Sequence, residues 1–308
     1  MRKKILQTIE KVGNKNSKII FIGSDLGPDV MKNFKKKNPE RFLMEGAAEQ
    51  HIISMASGLA KEGFIVYINT IGTFLTRRCY EQILLDGSYQ NCKIRLVANG
   101  GGLVYAPLGS THLSTDDIGL MRLIPKMTIY SPADAIEMEK IILSSINIKN
   151  PIYFRVAKGG DPICTNKLYK KFITGKIYTH GKGEIVLFTT GICLKIALEI
   201  QKELLKKNVN LKVAHVPTLK PLNEKNFLSI TKNSKYLFSL EEHSIVGGLG
   251  TILSELLAKN YPKKLKKFKP IGLPDENLKG YGRQHNLMQK YGIDLKNCLK
   301  QIIKVIKK

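Results

Sequence analysis

The 308-residue sequence predicts an α/β protein with two domains, each built on a mostly parallel sheet flanked by helices. Short apolar, β-branched runs alternate with longer segments of helical periodicity, the pattern of a parallel sheet covered by helices. This alternation occurs twice, on either side of a stretch without periodicity that is rich in Lys, Gly and Tyr. A chain of this length can bury two hydrophobic cores.

The first series of elements predicts a domain over residues 1–165. Its β-branched runs predict strands at residues 18–22, 64–69, 93–98, 127–131 and 152–156. Helical spacing predicts helices near residues 48–61, 75–85, 114–123 and 133–145. The resulting domain has the usual size of an independently folding unit.

The second series predicts a domain over residues 184–308, joined to the first by a surface linker at residues 166–183. Its expected strands are residues 184–190, 211–216 and 236–240. Its expected helices lie near residues 194–206, 224–230, 249–259 and 295–308.

The formal net charge of +25 raises nucleic acid as a partner, because clustered Lys and Arg displace counterions from phosphates. Most of the excess is lysine in Ile- and Asn-rich sequence without interleaved aromatic residues. Solvated surface charge explains this pattern better. Nucleic acid is therefore disfavoured as a partner, and an acidic partner protein stays open.

The five cysteines are scattered and include no CxxC pair, so neither a zinc site nor a disulfide framework is indicated. No apolar run reaches the roughly 18 residues that a membrane span needs. The basic N-terminus lacks the apolar run and cleavage site of a signal peptide. We expect a soluble, cytoplasmic protein without membrane contact.

Residues 44–50, MEGAAEQ, place Glu49 at the start of an apolar helical run. Taken alone, Glu49 is an acidic residue that the helix dipole favours at an N-terminus. The helix is followed by the strand FIVYINT and then by GTFLTRRCYEQILLDGSYQ. This succession resembles the pyrimidine-binding domain of the transketolase and deoxyxylulose-phosphate synthase family, where a Gly-Ile-Ala-Glu-Gln type motif precedes a Ser-Thr-Phe loop.

The resemblance extends over nearly the whole chain. Residues 109–134 resemble the family's Thr-His segment, its Leu-Arg-x-Ile-Pro and its Pro-Ala-Asp, and PIYFRVAKG resembles the strand that ends the domain with an arginine. LKPLNEKNF and SLEEHSIVGGLGTILSEL continue it through the second domain. The resemblance implies a thiamine diphosphate-binding pyrimidine-domain fold followed by the transketolase C-terminal-domain fold.

The resemblance implies a cofactor site at Glu49, Gly72, Thr73 and Phe74. Glu49 matches the glutamate that hydrogen-bonds a ring nitrogen of the aminopyrimidine of thiamine diphosphate, where a carboxyl group favours the imino tautomer that activates the cofactor. Phe74 matches the aromatic residue that stacks on this ring, a contact worth ~0.5 to 1.5 kcal/mol in aromatic pairs. From the pattern alone, Phe74 is equally an ordinary core residue.

Two further residues take roles from the resemblance. His112 matches the histidine of the Thr-His motif near the reacting carbon and is a candidate for both catalysis and substrate binding. Arg155 matches an arginine that binds the distal phosphate of the substrate, a task that suits the guanidinium fork. The alternatives are a structural histidine and a salt-bridged arginine at the end of a strand.

Three positions depart from the family pattern and bear on the substrate. In the loop NGGGLVYAPLGSTH, Gly100 and Leu108 stand where the family has hydroxyl-recognising residues. Asp29 stands about where transketolases place a phosphate-binding serine, and its carboxylate would repel a phosphate. We expect the substrate to differ from an ordinary pentose phosphate.

The sequence lacks the Gly-Asp-Gly motif with a downstream Asn that holds Mg²⁺ and the diphosphate in thiamine enzymes. The resemblance therefore implies a partner subunit with the diphosphate-binding domain, which would share thiamine diphosphate and hold Mg²⁺, in an α2β2 heterotetramer. The predicted activity is transfer of a two-carbon ketol unit from a ketose to an aldehyde. The alternatives are the beta subunit of a 2-oxo acid dehydrogenase and a non-catalytic degenerate or scaffold subunit.

Overall fold

A computed structural model describes residues 1–24, 28–166 and 168–307. The helices are α1 Arg2–Gly13, α2 Lys32–Lys37, α3 Glu49–Lys61, α4 Tyr80–Gln82, α5 Asp117–Leu123, α6 Ala135–Ser145, α7 Cys193–Leu205, α8 Glu224–Thr231, α9 Leu249–Asn260, α10 Pro262–Leu265, α11 Gln284–Lys290 and α12 Leu295–Ile306. Two π-helical segments, Phe74–Arg78 and Ile83–Tyr89, flank α4.

Two sheets organise the chain. The strands are β1 Ile19–Gly23, β2 Phe42–Met44, β3 Ile65–Ile71, β4 Ile94–Asn99, β5 Thr128–Tyr130, β6 Ile152–Val156, β7 Tyr178–His180, β8 Ile185–Thr189, β9 Leu211–His215, β10 Thr218–Lys220, β11 Tyr236–Ser244 and β12 Phe268–Leu273. The first sheet has the order β10-β5-β6-β4-β3-β1-β2 and the second has the order β12-β11-β8-β9-β7. All pairs are parallel except those of β10 and β7. The predicted fold class is confirmed.

Both faces of the first sheet are covered by helices, as expected for strands that are apolar along their whole length. On one face, α3 and α5 pack on alternate strand residues such as Ile68 and Leu96. On the other face, α1 and α6 pack on the intervening residues, such as Tyr67 and Val97. The carboxyl ends of β3 and β4 are thereby held in a fixed position at one edge of the sheet.

Part of residues 166–183, which the sequence predicts as a surface linker, is buried in the structure. Phe172, Ile177 and Tyr178 are buried, and Tyr178–His180 forms β7, which closes the edge of the second sheet against β9. The sequence does not show a clear strand pattern here. Only one side of this edge segment faces the core, and its few apolar residues lie among glycines and lysines. The segment belongs to the second domain's sheet.

One strand crosses the predicted domain boundary. β10 follows the second domain's β9, yet it pairs antiparallel with β5 and so extends the first sheet. The Lys220 ammonium group reinforces this pairing by donating hydrogen bonds to the carbonyl oxygens of Arg122 and Ile124 at 2.8 and 2.7 Å. The two domains therefore share a sheet.

The structure also contains α1, α11 and the edge strands β2 and β12, which the sequence pattern did not predict. α1 buries Ile5, Leu6 and Ile9 on the first sheet, although charged residues surround them in the sequence.

Within the described residues, no helix combines the length and apolar character needed to cross a lipid bilayer.

Candidate active site

The predicted site residues other than Arg155 lie in or directly beside three loops at the carboxyl edge of the first sheet. Glu49 is the first residue of α3, and Gly72 and Thr73 directly follow β3. His112 ends a 3₁₀ turn in the loop after β4. Because parallel strands end at one edge, their loops converge there. The structure brings Glu49, Phe74 and His112 together through an arginine, Arg78.

The Glu49 carboxylate is buried, with only 3 % of the residue exposed. Its Oε2 accepts a hydrogen bond from Nη1 of Arg78 at 2.7 Å. Its Oε1 is 3.4 Å from the Thr70 hydroxyl, which in turn accepts from the Ser24 hydroxyl at 3.0 Å. The position at the N-terminus of α3 also favours a negative charge. Among the described residues, Glu49 is thus a buried carboxylate with one short ion pair, to Arg78.

The Phe74 ring connects this pair to His112. The guanidinium carbon of Arg78 lies 4.7 Å from the ring centroid, within cation–π distance. The imidazole of His112 meets the same ring edge-on, with 5.1 Å between the centroids and 70° between the planes. The Thr111 hydroxyl is 3.0 Å from Nδ1 of His112 and orients the imidazole. His112 itself remains half-buried.

Two buried hydroxyl groups beside the cluster have no hydrogen-bond partner among the described residues. They are Oγ1 of Thr73 and Oγ of Ser114. A Cβ atom at Gly72 would lie 3.2 Å from the Ser114 hydroxyl and 3.3 Å from the Asn99 carbonyl oxygen, so the backbone packs closely here. Unpartnered buried hydroxyls cost free energy, which makes them candidates for contact with a bound molecule.

Arg155 lies outside this cluster, in a buried ion pair. Its Nε and Nη2 donate to the two carboxylate oxygens of Asp117 at 2.8 and 3.1 Å, and Nη2 also donates to the carbonyl oxygens of Ser114 and Glu242. Only 7 % of Arg155 is exposed. Phosphate binding by Arg155 stays a prediction, and these contacts favour the structural alternative, a salt-bridged arginine.

Burial and charge act in opposite directions on this pair. Burial alone would lower the pKa of Arg155, but the Asp117 carboxylate more than offsets it and the pKa is raised. Burial alone would raise the pKa of Asp117, but Arg155, with His243 and the Tyr153 hydroxyl, lowers it. The pair stays ionised inside the protein.

Sequence reasoning missed Arg78 and Asp117. Arg78 follows Phe74 by four residues, and that spacing places two side chains on one face of a helix, so a local signal existed. Asp117 precedes Arg155 by 38 residues, and nothing in either segment indicates the pairing.

Comparison with known proteins agrees with this architecture. Residues 1–160 match the model of the transketolase pyrimidine binding domain, and residues 175–298 match that of the transketolase C-terminal domain. The chain is 30 % identical over 312 residues to a protein of Methanocaldococcus jannaschii provisionally named as a transketolase C-terminal section, covering 100 % of this chain and 96 % of that protein.

The chain is also 32 % identical over 263 residues to one subunit of an apulose-4-phosphate transketolase from Actinobacillus succinogenes, covering 85 % of this chain and 83 % of the relative. A solved structure described as a split gene transketolase, inactive beta4 tetramer, superposes with a TM-score of 0.88 at 27 % identity and covers 99 % of this chain and 98 % of its own. On the domain matches and the full-length similarity together, the chain belongs to the transketolase family.

Proposed function

We propose that this chain is the pyrimidine-binding subunit of a split, thiamine diphosphate-dependent transketolase. It would take part in the transfer of a two-carbon ketol unit from a ketose to an aldehyde. Its similarity to a transketolase C-terminal section and to one subunit of an apulose-4-phosphate transketolase supports this assignment. The observation that carries it is the buried Glu49 carboxylate beside the Phe74 ring at the carboxyl edge of the sheet.

The described residues fit an aminopyrimidine ring. Glu49 offers a buried acceptor for a ring N–H, and Phe74 offers an aromatic surface for stacking. The unpartnered hydroxyl of Thr73 adds a polar group that a ring nitrogen or amino group could satisfy. We assign Glu49, Gly72, Thr73 and Phe74 to the cofactor side of the site.

Two side chains of this chain take chemical roles in the proposed reaction. The Glu49 carboxyl group would hold the aminopyrimidine through a hydrogen bond to a ring nitrogen, and its burial would keep water from competing for that hydrogen bond. His112, half-buried against Phe74, can accept or donate a proton at a substrate hydroxyl. When bound, thiamine diphosphate supplies the electron sink for cleavage of the carbon–carbon bond.

A partner subunit completes the proposed enzyme. We propose that it carries the diphosphate-binding domain with a Gly-Asp-Gly motif and holds Mg²⁺ through oxygen ligands. Two copies of each subunit would form an α2β2 assembly, since closed two-fold symmetry is the common arrangement. The similarity to a relative named as one subunit of a transketolase supports a paired enzyme.

The loop after β4 bears on the substrate. Gly100 has a φ of +86°, and a Cβ there would lie 2.1 Å from the Tyr105 ring, so a larger residue would strain the backbone and would have to displace that ring. Leu108 is 51 % exposed, and its side chain has no hydrogen-bonding group. Asp29 is exposed and forms an ion pair with Lys32 at 3.2 Å. We therefore propose a ketose other than an ordinary pentose phosphate as the donor.

Co-expression with a subunit that contains the diphosphate-binding domain tests the proposal. The purified complex, supplied with thiamine diphosphate and Mg²⁺, should transfer a ketol unit within a panel of phosphorylated and unphosphorylated ketoses and aldehydes. Turnover of 2-oxo acids coupled to a lipoyl carrier would instead identify a 2-oxo acid dehydrogenase. Turnover with xylulose 5-phosphate as fast as with any other donor would contradict the substrate proposal.

A further inference from the structure

The Arg78 guanidinium group makes both contacts that the proposed function assigns to the aminopyrimidine. Its Nη1 donates to Oε2 of Glu49 at 2.7 Å, and its central carbon lies 4.7 Å from the Phe74 centroid. A guanidinium group is flat and carries its N–H donors in one plane. In shape and donor placement it therefore resembles the nitrogen-bearing ring that the site is proposed to bind.

Arg78 and an aminopyrimidine ring cannot occupy the same positions at Glu49 and on Phe74 at the same time. The Glu49 carboxylate is buried, with only 3 % of the residue exposed and with Arg78 and Thr70 as its hydrogen-bonding partners among the described residues. Arg78 covers one face of the Phe74 ring, so another ring cannot stack on that face at the same time. His112 contacts the same ring edge-on. A ring that reaches Glu49 and stacks on that face has to displace the guanidinium group.

The surroundings of the Arg78 side chain allow it to move away from Glu49. Its side chain is 44 % exposed, and Glu49 accepts its only short side-chain hydrogen bond among the described residues. Solvent can hydrate the released guanidinium group, and partly exposed ion pairs are weak. By contrast, the neighbouring Arg77 points to a different partner and forms a bidentate pair with Asp116 at 2.8 and 2.9 Å.

We propose that Arg78 is an internal, displaceable ligand of the pyrimidine site, which pairs with Glu49 while the site is empty and moves aside when the cofactor binds. The proposal rests on the proposed function. Arg78 keeps a buried carboxylate paired in the free subunit, because an unpaired buried charge is strongly unfavourable. It thereby lowers the affinity for the cofactor.

The test is the dissociation constant of thiamine diphosphate from the assembled complex, measured by isothermal titration calorimetry at saturating Mg²⁺. Wild type is compared with Arg78→Met, which keeps the alkyl stem, and with Arg77→Met, which removes the same charge from the adjacent position. We expect Arg78→Met to bind about twofold to fivefold more tightly and Arg77→Met to bind like wild type. If Arg78→Met does not assemble, Arg78→Gln replaces it with the same expectation.

Unchanged or weaker binding in the Arg78 variants would overturn the inference, since a guanidinium group that stays and contacts the cofactor would strengthen binding. An equal gain in Arg77→Met would also overturn it, because the effect would then arise from net charge. Lack of cofactor binding by the wild-type complex would refute the proposed function itself, so the two failures are distinguishable.

Discussion

Two arginine–carboxylate pairs in this chain have nearly equal distances and different surroundings. Glu49 and Arg78 meet at 2.7 Å, and Asp117 and Arg155 meet at 2.8 Å. Both carboxylates are buried, but the Arg78 side chain is 44 % exposed while that of Arg155 is 7 % exposed. The burial of the arginine, rather than the length of the ion pair, therefore distinguishes a contact that can open from one that is fixed.

The buried pair joins the two domains. Arg155 on β6 donates to the Glu242 carbonyl oxygen on β11 at 2.9 Å, and the Asp117 carboxylate accepts from the Tyr153 hydroxyl at 2.7 Å. Arg155 also donates to the Ser114 carbonyl oxygen, in the loop that contains His112. The fixed pair thus supports the loop whose end contributes to the candidate active site.

The largest expected effect concerns the pair of Glu49 with the partly exposed Arg78. Glu49→Gln keeps the shape of the side chain but removes the carboxyl group that we propose to exchange a proton with the aminopyrimidine ring of the cofactor. We expect ketol transfer by the assembled complex to fall by about 10³-fold or more, within the range of general acid–base contributions. Proton exchange at the thiazolium carbon, followed by NMR, should fall in parallel while assembly is unchanged.

Glu62→Gln is the matched control, because Glu62 is exposed at the opposite end of α3. It should retain wild-type activity. Proton exchange near the wild-type rate in Glu49→Gln would show that this carboxyl group has no role in activating the cofactor, whatever the effect on turnover.

The next effect tests whether the buried pair is structural. Asp117→Asn leaves the buried Arg155 charge without its partner, which typically costs about 3 to 5 kcal/mol. We expect a loss of about 3 kcal/mol in the free energy of unfolding, measured by urea titration of the full chain. Asp116→Asn disrupts only the half-exposed pair with Arg77 and should cost less than about 1 kcal/mol.

A second variant separates charge from packing. Asp117→Asn combined with Arg155→Met removes both charges and should recover part of the lost stability, because no unpaired buried charge remains. Equal losses in Asp116→Asn and Asp117→Asn would mean that burial does not distinguish the two kinds of pair.

The sequence was informative where the signal is local. Apolar β-branched runs located β1, β3, β4, β6 and β8 to within about two residues, because each run is buried on both faces. The ordered motifs around Glu49 and Phe74 likewise identified two side chains that the fold brings into one cluster.

The signal failed where a contact joins distant segments. β7 and β10 are three residues long and gain their stability from strands formed elsewhere, so neither shows a strand pattern of its own. The strand-end position of Arg155 suits phosphate binding, while Asp117, on another element, is not visible in the sequence as its partner. The conformation and role of such residues depend on partners that are distant in the sequence, and the pattern of a single sequence does not reveal those partners.

The smallest expected effect is a pH dependence of the stability at Glu242, the residue of β11 that accepts a hydrogen bond from Arg155 of the first domain. Burial raises the pKa of Glu242 from 4.5 to about 7, although Arg155, the Gln284 side chain and the Leu103 N–H oppose the shift. Between these pH values the folded chain holds a proton that the unfolded chain has lost. The free energy of unfolding therefore falls as the pH rises through this window, by about 2 kcal/mol between pH 5 and pH 8 for this group.

Glu242→Gln removes this titration and should flatten the pH profile by that amount, leaving the part that comes from Glu241, whose pKa burial also raises to about 7. Urea titrations at pH 5, 6, 7 and 8 measure the difference. Glu255→Gln, at an exposed position paired with Arg122, should leave the profile unchanged. A profile in Glu242→Gln as steep as that of wild type would mean that Glu242 is already ionised at pH 5. Glu242 would then be a permanently charged buried group, like the Asp117–Arg155 pair beside it.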